Sequence, residues 1–500
     1  MRSRFTTLFF FSFILLIPFT PGFAQNGSEA IYRDIRKLGV LANVLYVAAH
    51  PDDENTRLIS YLSNHLSVNT TYLSLTRGDG GQNLIGPEIR EMLGLIRTYE
   101  LLGARSIDGG HQLFTRANDF GYSKTPAETF NIWDRQAVLS DVVWAIRNTK
   151  PDVIINRFNT DTSRPNHGHH TASAILSAEA FDLAANRTSF PEQLSYVDPW
   201  QPQRIFWNTS WFFYGSREAF DKVDKSKMLG IDIGAFDQVT GESNSEIAGR
   251  SRSMHKSQGF GSAETRGESL DYIDLLKDAG GMIPTSLFDG IDITWTRVPG
   301  GAPIGQMVKE LEESFDFKSP SKSIPQLLAI HKAIGNLQDS YWKKIKLADC
   351  ESLIKECLGL FVEVRTSRFK ASPGTTLPVS LEVINRSDVA VTLVSVSPSS
   401  NDTVFNFSSP LAYNQGFLKE FSIQTPARLS IPYWLIKHPD EGMYIVDDQQ
   451  LRGLPSDPPS ITMQINLEVS GNSIILNTPV IYKAVDPAEG EITRPLSIIP

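Results

Sequence analysis

Cysteine is nearly missing from this 500-residue chain, which holds only Cys350 and Cys357. So few exclude both a disulfide scaffold and a cysteine-rich zinc fold, so any metal must take histidine and carboxylate. If both lie on one helix they stand about 10 Å apart along its axis, beyond the reach of an unstrained disulfide, and they read as two small buried thiols. Positive charge is also short: 47 Lys and Arg against 56 Asp and Glu leave a net charge of −9. A general nucleic-acid binder needs the basic face that this balance withholds. No Walker or GxGxxG fingerprint occurs, which argues against a nucleotide-cofactor role. After the first 24 residues no apolar run approaches the roughly 20 residues that span a bilayer, so no membrane span is expected in the mature chain.

The first 24 residues have a different texture. Arg2 and Arg4 precede an apolar run from Leu8 to Phe19, and Pro21, Gly22 and Ala24 follow. This order of basic, apolar and small residues is that of a secretory signal peptide cut after Ala24, so a periplasmic or secreted protein is expected. The remainder, in a chain 41% hydrophobic and 21% charged, reads as globular.

Helical and strand patterns alternate through the first two thirds. Ile31–Gly39, Thr56–Leu66, Glu88–Gly103 and Arg135–Thr149 have helical spacing, while Val44–Ala49, Thr70–Thr76 and Asp152–Asn156 are compact β-prone runs. This alternation predicts a layered α/β fold, Rossmann-like, with a mainly parallel sheet. Pro325–Leu347 reads as one further helical segment. From about Phe361 short alternating strands punctuated by Pro, Gly, Asn and Asp predict an all-β, Ig-like sandwich. The expected division is a signal peptide at 1–24, an α/β domain at 31–347 and a β-sandwich at 358–490.

The chemistry gathers after two of the predicted strands. The first ends in Ala49-His50-Pro51-Asp52-Asp53-Glu54, and the strand at 152–156 is followed by Asn166-His167-Gly168-His169-His170. Ligands of open α/β sheets bind at the carboxyl ends of strands, so neighbouring strands would make the two clusters converge. Imidazole and carboxylate ligands with an open position suit zinc. Four of the nine histidines fall in these two clusters, a density that chance explains poorly.

These motifs resemble those of the PIG-L (LmbE-like) family of zinc-dependent N-deacetylases, which carry AHPDDE after the first strand and an H-x-D-H-type motif later. The likeness runs over about residues 38–345 and takes in Thr76-Arg77-Gly78 and the Arg97, Glu100, Leu101 stretch. It implies removal of an acetyl group from an N-acetylglucosamine-type sugar or glycan, with one Zn2+ per chain, though two histidines and a carboxylate also suit iron or cobalt. Carried over by position, His50, Asp53 and His170 resemble the metal ligands and Asp52 the general base. His167 resembles the group that stabilises the oxyanion or protonates the leaving amine, and Arg97 a substrate-side arginine. This chain departs from the family at His169, where an aspartate is usual; Asp161 is a candidate replacement carboxylate.

Three further elements are candidates for the pocket. Arg77, Asp79 and Asn83 lie in a Gly-rich loop that either lines its mouth or forms a solvated turn. His255, opening His-Lys-Ser-Gln, resembles a late family element and is expected near the substrate, the alternative being a helix-end cap. The aromatic run Trp207–Tyr214 reads as core in preference to a sugar platform. Two other functions fit the sequence: a metal-dependent amidase or esterase on another acyl substrate, and an inactive glycan-binding surface protein. Retention of Asp52, which a pure binder does not need, counts against the second. No oligomeric state follows from the sequence.

Overall fold

The computed structural model describes residues 27–163 and 166–500, so the leader expected over residues 1–24 lies outside the described residues. The chain opens with α1 (Ser28–Gly39) and β1 (Asn43–Ala48). α2 (Thr56–Ser60) runs on as a wider π turn to His65 before β2 (Asn69–Ser74). There follow α3 (Glu91–Asp108), β3 (His111–Phe114), α4 (Pro126–Ile132), α5 (Arg135–Thr149), β4 (Val153–Asn156) and α6 (Gly168–Leu183). β5 (Arg204–Thr209), β6 (Met228–Asp232), α7 (Asn244–Arg252) and β7 (Leu270–Asp278) complete the first sheet and its nearest helix.

The sheet order is β3-β2-β1-β4-β5-β7-β6. The first five strands are parallel neighbours and β7 alone runs the other way, pairing antiparallel with both β5 and β6, as the sequence pattern led us to expect for a mainly parallel sheet. β1 is buried at every residue because both faces of the sheet are covered. Val44 and Tyr46 pack with Leu58 and Leu62 on one face, and Leu45 and Val47 with Val142 and Leu176 on the other. β1 and β4 are direct parallel neighbours, so the loops leaving their carboxyl ends meet over the same edge.

The helical segment expected over Pro325–Leu347 is two helices, Ile324–Gly335 and Ser340–Cys357. The break is written in local chemistry: Asp339 caps the second helix by accepting the Trp342 backbone N–H at 2.6 Å. Cys350 and Cys357 lie buried and unpaired on that second helix.

The C-terminal region is strand-rich, with β8 (Phe361–Thr366), β9 (Thr376–Ile384), β10 (Val391–Pro398), β11 (Phe405–Pro410), β12 (Gly416–Gln424), β13 (Thr462–Val469), β14 (Asn472–Asp486) and β15 (Gly490–Pro495). These strands form one curled sheet in which β11-β10-β13-β14-β8-β9-β12 are successive neighbours and β15 pairs with β14. β14 joins the two halves: Asn472–Pro479 pairs with β13, and Val480–Tyr482 with β8. Between β12 and β13 the chain leaves this sheet and lies along the first one, where the Ala117 and Met443 backbones form an antiparallel bridge.

Candidate metal centre and active site

The site is built on the turn that follows β1. His50 donates its backbone N–H to Asp53 Oδ2 at 2.8 Å, and its ring Nδ1 lies 3.1 Å from the same oxygen. Tyr72, one strand away, donates its hydroxyl to the His50 carbonyl at 2.5 Å. From the first turn of α6, His170 places Nε2 3.4 Å from Asp53 Oδ1. Its ring lies flat on Phe158 at 3.8 Å, and its Nδ1 is 3.1 Å from Asn166 Oδ1. Burial opposes the charge on Asp53, but the His170 and His50 imidazoles outweigh it and hold the carboxyl well below its ordinary range.

The donor atoms suit a tetrahedral ion. Ligands about 2.0–2.1 Å from zinc stand about 3.3 Å from one another; here one donor atom from each of His50, Asp53 and His170 lies within 4.8 Å of the other two, with His50 Nδ1 3.1 Å from Asp53 Oδ2 and His170 Nε2 3.4 Å from Asp53 Oδ1. His170 directs its other nitrogen at an amide oxygen, which leaves Nε2 as the lone-pair end. His50, His167 and His169 form a second, overlapping group among the described residues. That group has no carboxylate, and the His169 ring is fully enclosed. The Asp53 group retains the partly exposed edge that an open coordination position requires.

Asp52 has the backbone of a strained residue, with φ at +91°. Three groups fix it there. Glu54 accepts the Asp52 N–H at 2.8 Å, Arg252 of α7 donates to the Asp52 carbonyl, and Arg97 of α3 donates to Asp52 Oδ2 at 2.7 Å. Burial pushes the Asp52 carboxyl above its ordinary range although Arg97 opposes it. Arg97 also donates to Pro51 O at 2.5 Å and Gly78 O at 2.9 Å. A Cβ at Gly78, which has φ +68°, would lie 2.3 Å from that guanidinium, so only glycine permits the approach.

His167 caps α6: its Nδ1 accepts the His169 backbone N–H at 3.1 Å. Burial, reinforced by the neighbouring His50 and His170 imidazoles, lowers its pKa to about 3. A neutral ring whose Nδ1 accepts carries its proton on Nε2. Nε2–H is the end of the His167 ring that is free to donate in this geometry.

Four residues expected on the substrate, Arg97, Arg77, Asp79 and His255, are buried and engaged with other parts of the chain. Arg97 is buried and holds Asp52. Arg77 is 1% exposed and points away from the pocket: its guanidinium donates to Pro455 O, Leu454 O and the Tyr433 hydroxyl, all in the segment between β12 and β13. Asp79 is buried beside Tyr444 of that same segment. His255 is fully buried with Nε2 2.9 Å from Glu54 Oε1, and Ser257 donates N–H and Oγ–H to Glu100 at 2.6 Å each, so the His-Lys-Ser-Gln element buckles the motif loop from beneath. Asn83 stays on the surface loop, donating to the Glu88 carbonyl at 3.2 Å. In the aromatic run Trp207 is buried as expected, while Trp211 and Phe212 are exposed.

Two carboxylates bear on the departure at His169. Asp161 lies exposed in its loop, accepting the Ser163 N–H at 2.8 Å. Asp119, on the loop after β3, brings its carboxylate 4.0 Å from His50 Nε2. Sequence reasoning missed it because β3 is four residues long and gives no run of apolar alternation. The available signal was the polar turn Asn118-Asp119-Phe120-Gly121 in a layered α/β pattern.

Fold and site together define a layered α/β domain with a two-histidine, one-carboxylate centre at the carboxyl edge of its parallel strands. Residues 45–180 match the PIG-L family model, described as GlcNAc-PI de-N-acetylase. Among solved structures, the N,N'-diacetylchitobiose deacetylase of Pyrococcus horikoshii aligns at 17% identity over 44% of this chain and 71% of its own, with a TM-score of 0.31. GalB, the 4-carboxy-2-hydroxymuconate hydratase of Pseudomonas putida KT2440, aligns at 14% identity over 46% of this chain and 96% of its own, with a TM-score of 0.30. No curated relative matches the chain.

Proposed function

We propose that this chain is an exported, zinc-dependent N-deacetylase that hydrolyses the acetamido group of an N-acetylglucosamine-type sugar or glycan. The observation that carries the reading is the convergence of His50, Asp53 and His170 beside a buried Asp52, within the segment that matches the PIG-L model. Export is inferred from the order of basic, apolar and small residues over 1–24.

His50, Asp53 and His170 would hold the ion. When bound, zinc supplies Lewis acidity, which lowers the pKa of a water towards 7 and polarises an amide carbonyl. Asp52 accepts the proton of the attacking water; its raised pKa makes it a stronger base than an exposed aspartate. Arg97, Arg252 and Glu54 keep that carboxylate in one orientation, which limits the reorganisation it undergoes during the reaction. His167 offers Nε2–H to the oxygen on which negative charge develops. With His167 neutral, the proton taken up by Asp52 is the one available to the departing amine, so C–N cleavage releases acetate and the free amino sugar.

Metal content of the purified protein and of Asp53→Ala, with acetate release followed on the same samples, tests the reading. About one zinc per chain and turnover, both lost in the variant, support it. Metal without acetate from N-acetylated sugars, but with turnover of peptides or aryl esters, moves the activity to another acyl substrate. No metal and no turnover overturn it.

A further inference from the structure

His50 has two ring nitrogens, and the proposed ion engages only the one that faces Asp53. The other, Nε2, points inward and lies 3.0 Å from Nδ1 of His169. An imidazole that presents Nδ1 as a ligand carries its proton on Nε2, so His50 donates here and His169 accepts. His169 then carries its own proton on Nε2, an atom that is buried and has no hydrogen-bond partner. Its ring stacks on Trp133 at 4.6 Å and meets Phe120 edge-on at 4.5 Å. A neutral ring thus occupies the place behind a metal-binding histidine where a carboxylate or carbonyl often stands.

Negative charge is still present at this link. Asp119 Oδ1 lies 3.7 Å from His169 Nδ1, its Oδ2 lies 4.0 Å from His50 Nε2, and the side chain is 5% exposed. The carboxylate is held in place by the Gly121 N–H, which donates to Oδ1 at 2.9 Å.

We propose that His169 and Asp119 act as a pair of positioning residues for His50, the ring supplying the acceptor that fixes its tautomer and plane, the carboxylate supplying the charge that makes it a stronger ligand. This rests on the metal role proposed for His50, Asp53 and His170. The division of labour is testable because Nδ1 of histidine and Oδ1 of asparagine or aspartate are each bonded directly to Cγ. His169→Asn keeps a neutral acceptor in the same place, and His169→Asp puts a carboxylate there.

Affinity for Co2+ and Zn2+ is measured by competition with a chromophoric chelator, together with the visible Co2+ spectrum and the melting of the metal-free proteins. Asp119→Asn is expected to weaken binding about 10–100-fold and shift the spectrum, and His169→Asn to stay within about threefold of wild type. The double variant Asp119→Asn/His169→Asp is expected to recover affinity, which a merely structural role for Asp119 does not predict. If Asp119→Asn does not fold, His169→Asp alone carries the test and is expected to bind at least as tightly as wild type. Unchanged affinity in Asp119→Asn, a double variant as weak as that single one, or weaker binding in His169→Asp overturns the pairing. Failure of wild type itself to bind either ion overturns the metal reading instead.

Discussion

Two polar constellations stand at the carboxyl edge of the first sheet, and they are built in opposite ways. The histidine centre draws its three proposed ligands from two short stretches of chain, with His50 and Asp53 in the turn after β1 and His170 in the first turn of α6, and it keeps an edge open to solvent. The Arg77 clamp joins residues more than 350 positions apart, and nothing in it is open. The Arg77 guanidinium is layered between Phe114 at 4.3 Å and Trp434 at 4.4 Å. Around it Trp144 Nε1–H donates to Arg452 O, the Phe114 N–H to Gly453 O, and the Tyr444 N–H to Arg116 O. A Cβ at Gly442 would lie 2.2 Å from Ile132 O, so the segment sits hard against the C-terminal end of α4. The contrast shows that a conspicuous polar loop serves chemistry or adhesion according to what covers it.

The largest effect belongs to the open constellation. Asp53→Ala removes the only carboxylate of the proposed ligand set and is expected to abolish metal retention. Acetate release is expected to fall by at least about a thousandfold, since the ion contributes several kcal/mol of transition-state stabilisation. Asp52→Asn is expected to keep the metal while kcat falls about 10²–10⁴-fold, and metal analysis beside steady-state kinetics separates the two. Equal loss of metal in both variants would erase the distinction between ligand and base.

The closed constellation is broken by Arg77→Ala. Its removal takes a donor from the Pro455 carbonyl and from the Tyr433 and Thr98 hydroxyls, while Leu454 O keeps the Tyr433 hydroxyl, and it empties the slot between Phe114 and Trp434, a loss on the order of 3–5 kcal/mol. Thermal unfolding is expected at clearly lower temperature, with KM of the remaining folded enzyme little changed. A raised KM at unchanged stability would return Arg77 to the substrate side, where its motif first placed it.

That reversal marks where the sequence was legible. The parallel sheet, the neighbouring β1 and β4 strands and the delivery of both histidine clusters to one edge follow from local signals: apolar runs that end at polar motifs. Arg77, Asp79, Arg97 and His255 carry the same kind of local signal, but their partners lie on other elements, and composition near a residue does not say whether a distant segment will cover it. Asp119 was missed for the complementary reason, its strand being too short to announce itself. The two halves of the curled sheet share β14, a long-range pairing that alternating strand patterns do not encode.

The smallest effect tests whether the clamp reaches the centre. Asp79 lies between them: Tyr444 of the covering segment is on one side and Asp119 on the other, and burial together with the Asp119 charge raises the Asp79 pKa to about 7. The Tyr444 hydroxyl is close to this carboxyl without closing a well-aligned hydrogen bond to it. An unfolded aspartate titrates near pH 3.9, so between about pH 4 and 7 the folded chain holds a proton that the unfolded chain has lost. Stability therefore falls as pH rises through that window and levels off above it. Asp79→Asn replaces the neutral acid with a neutral amide that has no proton to lose. The variant is expected to melt close to wild type at pH 5 and above it at pH 8, by a few degrees. Melting curves for both proteins across pH 5–8 read the difference directly, and a gap that does not widen with pH would show that Asp79 is not the group that titrates.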